Sequence, residues 1–298
     1  MARLRFMLYY PSTVFATKTR VSTMSMFRRL GLLLLGLLPA LLPGVATAAF
    51  SKDASTVLIT GSNHGLGLEI ARQYADMGWN VIATARRPPG DPGLKALEAI
   101  RATHPNLVIE QLDVTDSAMI KAVAAKYRHQ PIDVLLNNAA AVEPTFAADM
   151  AEVMKPYDKI DFDAARHDFD VNTLGPMRVV QAFAPNVLAS KGKRIATITS
   201  MAGSFGAPMA GAMGMNYGAS KAALNKYMTL LTVALKPKGV LVGLFQPVFI
   251  ATKDDTKNMQ GAAAIQPEVA KLIKAIAALS PATNGKIINF STGKVDPY

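Results

Sequence analysis

Short apolar segments alternate with longer amphipathic segments over most of the chain. The apolar segments are rich in β-branched residues and predict strands at Thr56–Thr60, Asn80–Thr84, Leu107–Leu112, Val134–Asn137, Arg194–Thr199, Val240–Phe245 and Lys286–Phe290. Between them, apolar residues recur with helical spacing near 65–77, 92–103, 116–129, 161–189, 217–235 and 267–278. Strands as apolar as these are typical of a parallel sheet that helices cover on both faces. The pattern therefore predicts one α/β domain over residues 50–298, built on a single doubly wound parallel sheet.

Residues 1–49 follow a different pattern. Arg28 and Arg29 precede an apolar stretch, Leu30–Val45, and the small residues Ala46-Thr47-Ala48 follow it. A basic start, an apolar stretch that is short for a membrane span and a small-x-small end are typical of a secretory signal peptide. We therefore expect a leader that directs export, to the periplasm or out of the cell, and a mature chain that begins near Phe50.

Alternatives to a cleaved signal peptide stay open. The apolar stretch could remain as a membrane anchor, which would then be the part of the chain in contact with a membrane. The region upstream of Met26 is basic and free of acidic residues. Either the true start is Met24 or Met26, or residues 1–49 as a whole form an organelle transit sequence.

The distribution of charge changes the picture that the net charge suggests. The formal net charge is +11, but residues 1–50 contain six cationic residues and no acidic residue, which leaves +5 for the rest. No run of Lys and Arg of the kind that follows a phosphate backbone is present, so we expect no nucleic-acid partner. The absence of cysteine excludes disulfides and thiolate metal sites, and the four histidines are far apart in sequence. We therefore expect no metal site.

A glycine-rich turn follows the first predicted strand and precedes the first predicted helix. Gly61 allows a tight turn, Gly65 lets the backbone approach a pyrophosphate, and Gly67 lets the helix pack close to the strand. The free amides at the start of the helix then bind phosphate. The alternative is a glycine turn that binds nothing. The context favours a dinucleotide site formed by Gly61, Ser62, His64, Gly65, Leu66 and Gly67.

Two arginines end the second predicted strand, where an acidic residue would select NAD(H). An acid at that point accepts hydrogen bonds from the adenosine ribose and repels a 2′-phosphate. This chain has Arg86 and Arg87 instead, and a guanidinium matches a phosphate in shape and charge. We therefore predict that NADP(H) is preferred over NAD(H), with Arg86 as the contact. The alternative is that both arginines are solvated surface cations.

Tyr217 and Lys221 carry the predicted chemistry. Four residues of helix place both side chains on one face. An ammonium beside a phenol stabilises the phenolate and lowers its pKa, which would allow Tyr217 to give a proton to a carbonyl oxygen or to take it back. A Tyr-x-x-x-Lys pair alone is common by chance; here a glycine turn and a strand ending in serine precede it.

The serine that polarises the substrate carbonyl has two candidates. Ser200 ends a predicted strand and is followed by Met-Ala-Gly, but it precedes Tyr217 by 17 residues. Ser204 precedes Tyr217 by 13 residues. We choose Ser200 because of its position at the end of the strand.

These motifs resemble those of the short-chain dehydrogenases/reductases. The resemblance rests on Thr-Gly-x-x-x-Gly-x-Gly from Thr60, on Ser200, and on Tyr217 with Lys221, and it spans about residues 55–295. It implies a Rossmann fold and a catalytic set of Asn172, Ser200, Tyr217 and Lys221. In that set Asn172 would hold a water that links Lys221 to solvent.

The resemblance also implies further cofactor contacts, beyond the glycine turn and Arg86. They are Asp113 and Val114 after the third strand, Asn138 and Ala139 after the fourth, Tyr217 and Lys221, and Pro247 and Thr252 after the sixth. Two positions depart from the pattern, since Ala140 and Val248 stand where glycine is usual.

The expected function is an NADP(H)-dependent oxidoreductase that interconverts a small-molecule carbonyl and an alcohol. The runs Lys221–Asn225 and Asn284–Gly293 resemble the carbonyl reductase group that includes C-factor-like proteins. The alternatives are a non-catalytic NADP(H)-binding signalling protein on the same fold and a basic surface-binding protein. The resemblance implies a homo-dimer or homo-tetramer, and the loops near 141–160, 204–216 and 249–264 are expected to wall the substrate pocket.

Overall fold

Eight strands form one sheet in the part of the chain that the computed structural model describes, which is residues 50–141, 157–206, 214–250 and 262–297. The strands are β1 (Thr56–Ile59), β2 (Asn80–Ala85), β3 (Leu107–Gln111), β4 (Val134–Asn137), β5 (Arg194–Ile198), β6 (Leu241–Gln246), β7 (Ile287–Asn289) and β8 (Lys294–Asp296). Their order across the sheet is β3-β2-β1-β4-β5-β6-β7-β8. The first seven pair in parallel and β8 is antiparallel to β7.

Seven α-helices connect and cover these strands within the described ranges. They are α1 (Gly65–Asp76), α2 (Lys95–Thr103), α3 (Ser117–Lys126), α4 (Phe162–Phe169), α5 (Gly175–Ala189), α6 (Met215–Leu235) and α7 (Ile265–Ala277). In the same described part of the chain, no helix combines the length and the apolarity that crossing a bilayer requires. The predicted leader, residues 1–49, lies outside the described residues.

Alternate residues of the central strands face two separate apolar cores. Val57 and Ile59 of β1 pack with side chains of α1, α2 and α7, whereas Leu58 between them packs with α3, α5 and α6. Since both faces are buried, the strands have no wet face, which explains their continuous apolar sequences. The structure confirms the predicted doubly wound α/β sheet.

The strand order reverses direction between β1 and β4. From β1 the chain moves outward to β2 and β3, and then returns to the other side of β1 with β4, β5 and β6. In such sheets the loops at the carboxyl ends of strands on either side of this point form a crevice that binds ligands. The glycine turn after β1 and the serine after β5 therefore open onto the same edge.

Two local features differ from the sequence prediction. The predicted helix 161–189 is interrupted by a π-helical turn, Asp170–Leu174. Pro176 accounts for the break, because it has no N–H for the carbonyl of Asn172 and its ring would clash with that carbonyl in an α-helix.

The second difference is β8, an exposed three-residue strand after Gly293, whose φ is +72°. It is too short and polar for a periodic signal.

Candidate active site

The glycine turn is packed too closely for side chains. A Cβ on Gly67 would lie 2.1 Å from the carbonyl oxygen of Gly61, and a Cβ on Gly61 would lie 2.9 Å from Cα of Ala139. Gly61 and Gly65 also have positive φ, at +70° and +53°. His64 is the N-cap of α1, and no side-chain hydrogen bond caps that helix end. The first amides of α1 are therefore available to an anion at the edge where the predicted dinucleotide site lies.

Asn138 and Ala139 brace this turn from the neighbouring strand. The Asn138 side chain donates to the carbonyl oxygens of Thr60 (2.9 Å) and Gly61 (3.0 Å). The backbone amides of Asn138 and Ala139 both donate to Thr60 Oγ1, at 3.0 and 3.1 Å. The Asn138 side chain thus holds the turn in shape, and its contact with the cofactor stays a prediction.

The two arginines after β2 have different surroundings. Arg87 forms an ion pair with Asp91 at 3.1 Å, and Asp91 also caps the short turn that begins at Pro92. Arg86 is exposed and, among the described residues, has no ion-pair partner. The amide of Ser62 donates to the Thr84 carbonyl at 2.8 Å, so the end of β2 lies against the glycine turn. Arg86 is therefore the arginine that is available to a phosphate there.

Asp113 and Val114 lie after β3 on the same edge. Asp113 Oδ1 accepts hydrogen bonds from the amide and the hydroxyl of Thr115, at 2.8 and 2.7 Å. Val114 is buried against Gly175, where a Cβ would lie 2.8 Å from its Cγ2. Both residues are therefore held in place at the edge where the resemblance implies that they contact the cofactor.

Tyr217, Ser200 and Lys221 come together at the carboxyl end of β5. The Ser200 side chain lies beside the Tyr217 hydroxyl and acts to lower its pKa. Lys221 is 2% exposed, and its Nζ donates to the carbonyl of Ile198 at 3.1 Å and lies 5.6 Å from the centre of the Tyr217 ring. A phenol, a hydroxyl and a buried ammonium thus share one site.

Ser204 has a different partner. Its hydroxyl donates to the carbonyl of Pro297 at 2.9 Å, and the residue is buried. Ser204 therefore ties the segment after β5 to the C-terminal segment, while Ser200 contacts Tyr217.

Asn172 lies in the π-helical turn and is fully buried. Its Oδ1 accepts from the amide of Ala141 at 2.8 Å, and its Nδ2 donates to the Ala141 carbonyl at 2.9 Å and to Ser220 Oγ at 3.1 Å. These bonds join the loop after β4 to α6 beside the tyrosine and the lysine. The side chain that was expected to hold a water is thereby engaged with protein groups.

Burial is the largest influence on the pKa of Tyr217 and on that of Lys221. It raises the pKa of Tyr217 to about 12, against the lowering effect of Ser200, and the Asp168 carboxylate raises it further. Burial also lowers the pKa of Lys221 to about 8, although Asp168 acts to raise it. The direction for Tyr217 is opposite to the one expected from a neighbouring ammonium, because burial, which disfavours the charged phenolate, is the largest influence on its pKa.

Asp168 is the residue that sequence reasoning missed. It belongs to α4, is only 5% exposed, and its carboxylate acts on both Tyr217 and Lys221. Its burial and its position near the pair follow from the packing of α4 against α6 and cannot be seen in the local sequence. No motif points to it.

The loop after β6 completes the edge. Pro247 and Val248 follow β6, and the amide of Val248 donates to Ser291 Oγ at 3.1 Å. Thr252 lies outside the described residues, as do most residues of the predicted pocket walls. Of the two cofactor contacts that the resemblance implies after β6, the structure therefore describes Pro247 and not Thr252.

Comparison with known proteins agrees with this geometry. The profile of the short chain dehydrogenase family matches residues 55–263. The 1-hydroxy-2-glutathionyl-2-methyl-3-butene dehydrogenase of a Rhodococcus species is 33% identical over 235 residues, which cover 78% of this chain and 95% of that protein.

Solved structures share the fold over most of the chain. An NADPH-bound carbonyl reductase from chicken fatty liver has a TM-score of 0.73 and 27% identity, with 82% of this chain and 99% of that chain covered. A carbonyl reductase from Pseudomonas aeruginosa has a TM-score of 0.68 and 25% identity, with 82% and 100% covered. Together with the matching profile and the Rhodococcus relative, these likenesses confirm the resemblance seen in the sequence: the chain belongs to the short-chain dehydrogenase family, a family of oxidoreductases.

Proposed function

We propose that this chain is an NADP(H)-dependent oxidoreductase that interconverts a small-molecule carbonyl and the corresponding alcohol. One observation carries the proposal: Ser200 lies beside the Tyr217 hydroxyl, whose pKa it acts to lower, and the buried Lys221 lies 5.6 Å from the centre of the Tyr217 ring. Two neighbouring hydroxyl groups of this kind suit one carbonyl oxygen, which accepts from both. The carbonyl reductases among the structural neighbours, one of them NADPH-bound, support this choice of chemistry.

In the reductive direction, Ser200 donates a hydrogen bond to the carbonyl oxygen and polarises it. Tyr217 transfers its hydroxyl proton to that oxygen as the carbonyl carbon accepts a hydride, and the resulting phenolate is stabilised by the Lys221 ammonium. The bound nicotinamide cofactor supplies the hydride. Tyr217, whose pKa is raised to about 12, is protonated at neutral pH, which is the form that donates a proton in the reductive direction.

The residues present fit a dinucleotide. A glycine turn that leaves no room for Cβ atoms precedes an uncapped helix start, which is the arrangement that binds a pyrophosphate. The exposed Arg86 lies at the end of β2 beside this turn, where the adenosine ribose of a dinucleotide would lie. The guanidinium favours the 2′-phosphate of NADP(H) over the free hydroxyl of NAD(H).

Asn172 supports the reaction by joining the loop after β4 to α6. Its amide bonds to Ala141 and Ser220 keep the helix that carries Tyr217 and Lys221 in place against the sheet edge. A water that links Lys221 to solvent beside Asn172 is part of the proposal, because Lys221 would draw on it to restore the proton of Tyr217.

An activity screen tests this proposal. The purified chain is mixed with NADPH and a panel of ketones and aldehydes, and the NADPH absorbance is followed. We expect consumption with at least one carbonyl class. If NADPH binds but no carbonyl and no alcohol supports turnover, the chain is a binding protein on the same fold and the enzymatic proposal is wrong.

We further propose that two copies pair through the outer faces of α5 and α6. Leu230 and Val233 of α6 are 53% and 71% exposed, and Leu174 just before α5 is also exposed. An apolar face of this kind is unusual on a monomer and suits an isologous contact between equal surfaces. Sedimentation of the wild type and of Val233→Glu tests the pairing, and a monomeric wild type would exclude it.

We also propose that residues 1–49 form an export leader cleaved after Ala48 or Ala49. The support comes from the sequence pattern alone. N-terminal sequencing of the protein recovered from cell fractions tests it, because a full-length chain in the cytosol would exclude both a signal peptide and an anchor.

A further inference from the structure

A chain of hydrogen bonds runs from the surface of α7 to the backbone after β6. Lys271 Nζ donates to Glu268 Oε1 at 2.6 Å, and the hydroxyl of Ser291 donates to Glu268 Oε2. The amide of Val248 in turn donates to Ser291 Oγ at 3.1 Å. Three elements that are distant in sequence are thereby joined: the first turn of α7, the turn between β7 and β8, and the loop after β6.

The carboxylate of Glu268 determines the orientation of the Ser291 hydroxyl. A serine hydroxyl rotates freely, but a charged acceptor on one side holds its hydrogen there and turns a lone pair toward the other side. Here that other side is the Val248 amide. Glu268 is 4% exposed, so its bond to Ser291 is formed in a medium that strengthens it.

Glu268 is charged in this setting. Burial raises the pKa of its carboxyl, but the hydrogen bonds from Lys271 and Ser291 and the charge of Lys271 bring the pKa below the usual value. The carboxylate therefore remains an acceptor at neutral pH.

Val248 lies at the reacting end of the sheet edge. β6 is the neighbour of β5, and the Thr199 amide donates to the Phe245 carbonyl at 2.8 Å, directly before Ser200. Under the proposed function, the adenosine half of the cofactor lies near Arg86 after β2. The hydride donor must then lie near Ser200 and Tyr217, which places the nicotinamide beside residues 247–250 after β6.

We propose that Ser291 and Glu268 are positioning residues for the nicotinamide half of the cofactor. They hold the Val248 amide, and with it the backbone of residues 247–250, in the orientation that nicotinamide binding requires. This inference rests on the proposed function. The competing explanation is that the three residues only tie α7 to the edge of the sheet.

Two ligands separate these explanations. NADPH contains both halves of the cofactor, whereas 2′,5′-ADP contains the adenosine and its 2′-phosphate but no nicotinamide. We expect Ser291→Ala to weaken NADPH binding about fivefold to tenfold, the worth of one lost hydrogen bond, and to leave 2′,5′-ADP binding unchanged. Ser291→Thr keeps the hydroxyl and should restore NADPH affinity. Glu268→Gln should resemble Ser291→Ala.

Thr292→Val is the matched control, because Thr292 is in the same turn and its hydroxyl contacts only Asn289 and Lys294 among the described residues. It should bind both ligands like the wild type. Equal weakening of both ligands in Ser291→Ala with a lower melting temperature, or unchanged NADPH affinity, would overturn the inference. A wild-type protein that binds neither ligand would instead overturn the proposed function, so the two failures are distinguishable.

Discussion

The Nζ of Lys221 lies 5.6 Å from the centre of the Tyr217 ring, one helical turn along α6. The ammonium therefore approaches the ring, and its hydrogen bond is to the backbone carbonyl of Ile198. Burial is the largest influence on the phenol and outweighs the lowering effect of Ser200, so the pKa of Tyr217 is raised to about 12. Tyr217 therefore stays protonated until a substrate oxygen accepts its proton.

Tyr217→Phe tests the acid directly. The substitution keeps the ring and removes the proton, so we expect NADPH binding to remain and turnover to fall about 10²-fold to 10⁴-fold, the usual contribution of general acid catalysis. Initial rates and NADPH titrations measure both effects. Tyr227→Phe is the control, because Tyr227 is on the same helix but exposed. Near wild-type turnover in Tyr217→Phe would remove Tyr217 from the mechanism.

Asp168→Asn is expected to move the pH dependence of reduction to lower pH. As the pH rises through about 8, Lys221 loses its proton, and reduction should decline because the phenolate is no longer stabilised. The Asp168 carboxylate raises the pKa of Lys221, so without it burial acts unopposed and the pKa falls further. The decline should therefore begin at a lower pH. In the wild type the pKa of Tyr217, about 12, keeps it protonated across this range, and Asp168→Asn removes one of the causes that raise this pKa.

The measurement is kcat/KM for carbonyl reduction from pH 6 to about 10, a range that spans the ordinary titration of a perturbed lysine. Asp163→Asn is the matched control, since Asp163 is on the same helix but lies on its surface in an ion pair with Arg166. If kcat/KM of Asp168→Asn declined at the same pH as that of the wild type, the Asp168 carboxylate would not act on Lys221 during turnover.

The sequence was sufficient to predict the parallel strands and the residues that meet at their carboxyl ends. Both follow from local signals: apolar runs, a glycine turn and Tyr-x-x-x-Lys. What it could not predict depends on contacts between distant segments. β8 exists because it pairs with β7, and Asp296 is further held by the side chain of Gln246. The role of Asp168 likewise depends on the packing of α4 near α6, which no local pattern reports.

The two serines should respond differently to alanine. Ser200 contacts the Tyr217 hydroxyl, so Ser200→Ala removes a donor to the carbonyl and should lower kcat about 10²-fold, as for one lost oxyanion donor. Among the described residues the Ser204 hydroxyl bonds only to the Pro297 carbonyl, so Ser204→Ala should cost about 1 kcal/mol of folding free energy and little turnover. Parallel rate and thermal unfolding measurements separate the two, and a larger rate loss in Ser204→Ala would reverse the assignment.

The cofactor preference should depend on Arg86 rather than on Arg87. Arg86 is exposed at the end of β2, while Arg87 is engaged by Asp91. We expect NADPH to bind at least tenfold more tightly than NADH, a difference of about 1.4 kcal/mol, and Arg86→Ala to remove most of that preference. Arg87→Ala should leave it in place, since its guanidinium is already paired. Fluorescence titration of both cofactors against the three proteins measures the ratio. Equal affinities for NADPH and NADH in the wild type would show that no guanidinium binds the 2′-phosphate. If only Arg87→Ala lost the preference for NADPH, the contact would be Arg87, whose ion pair with Asp91 would have to break first.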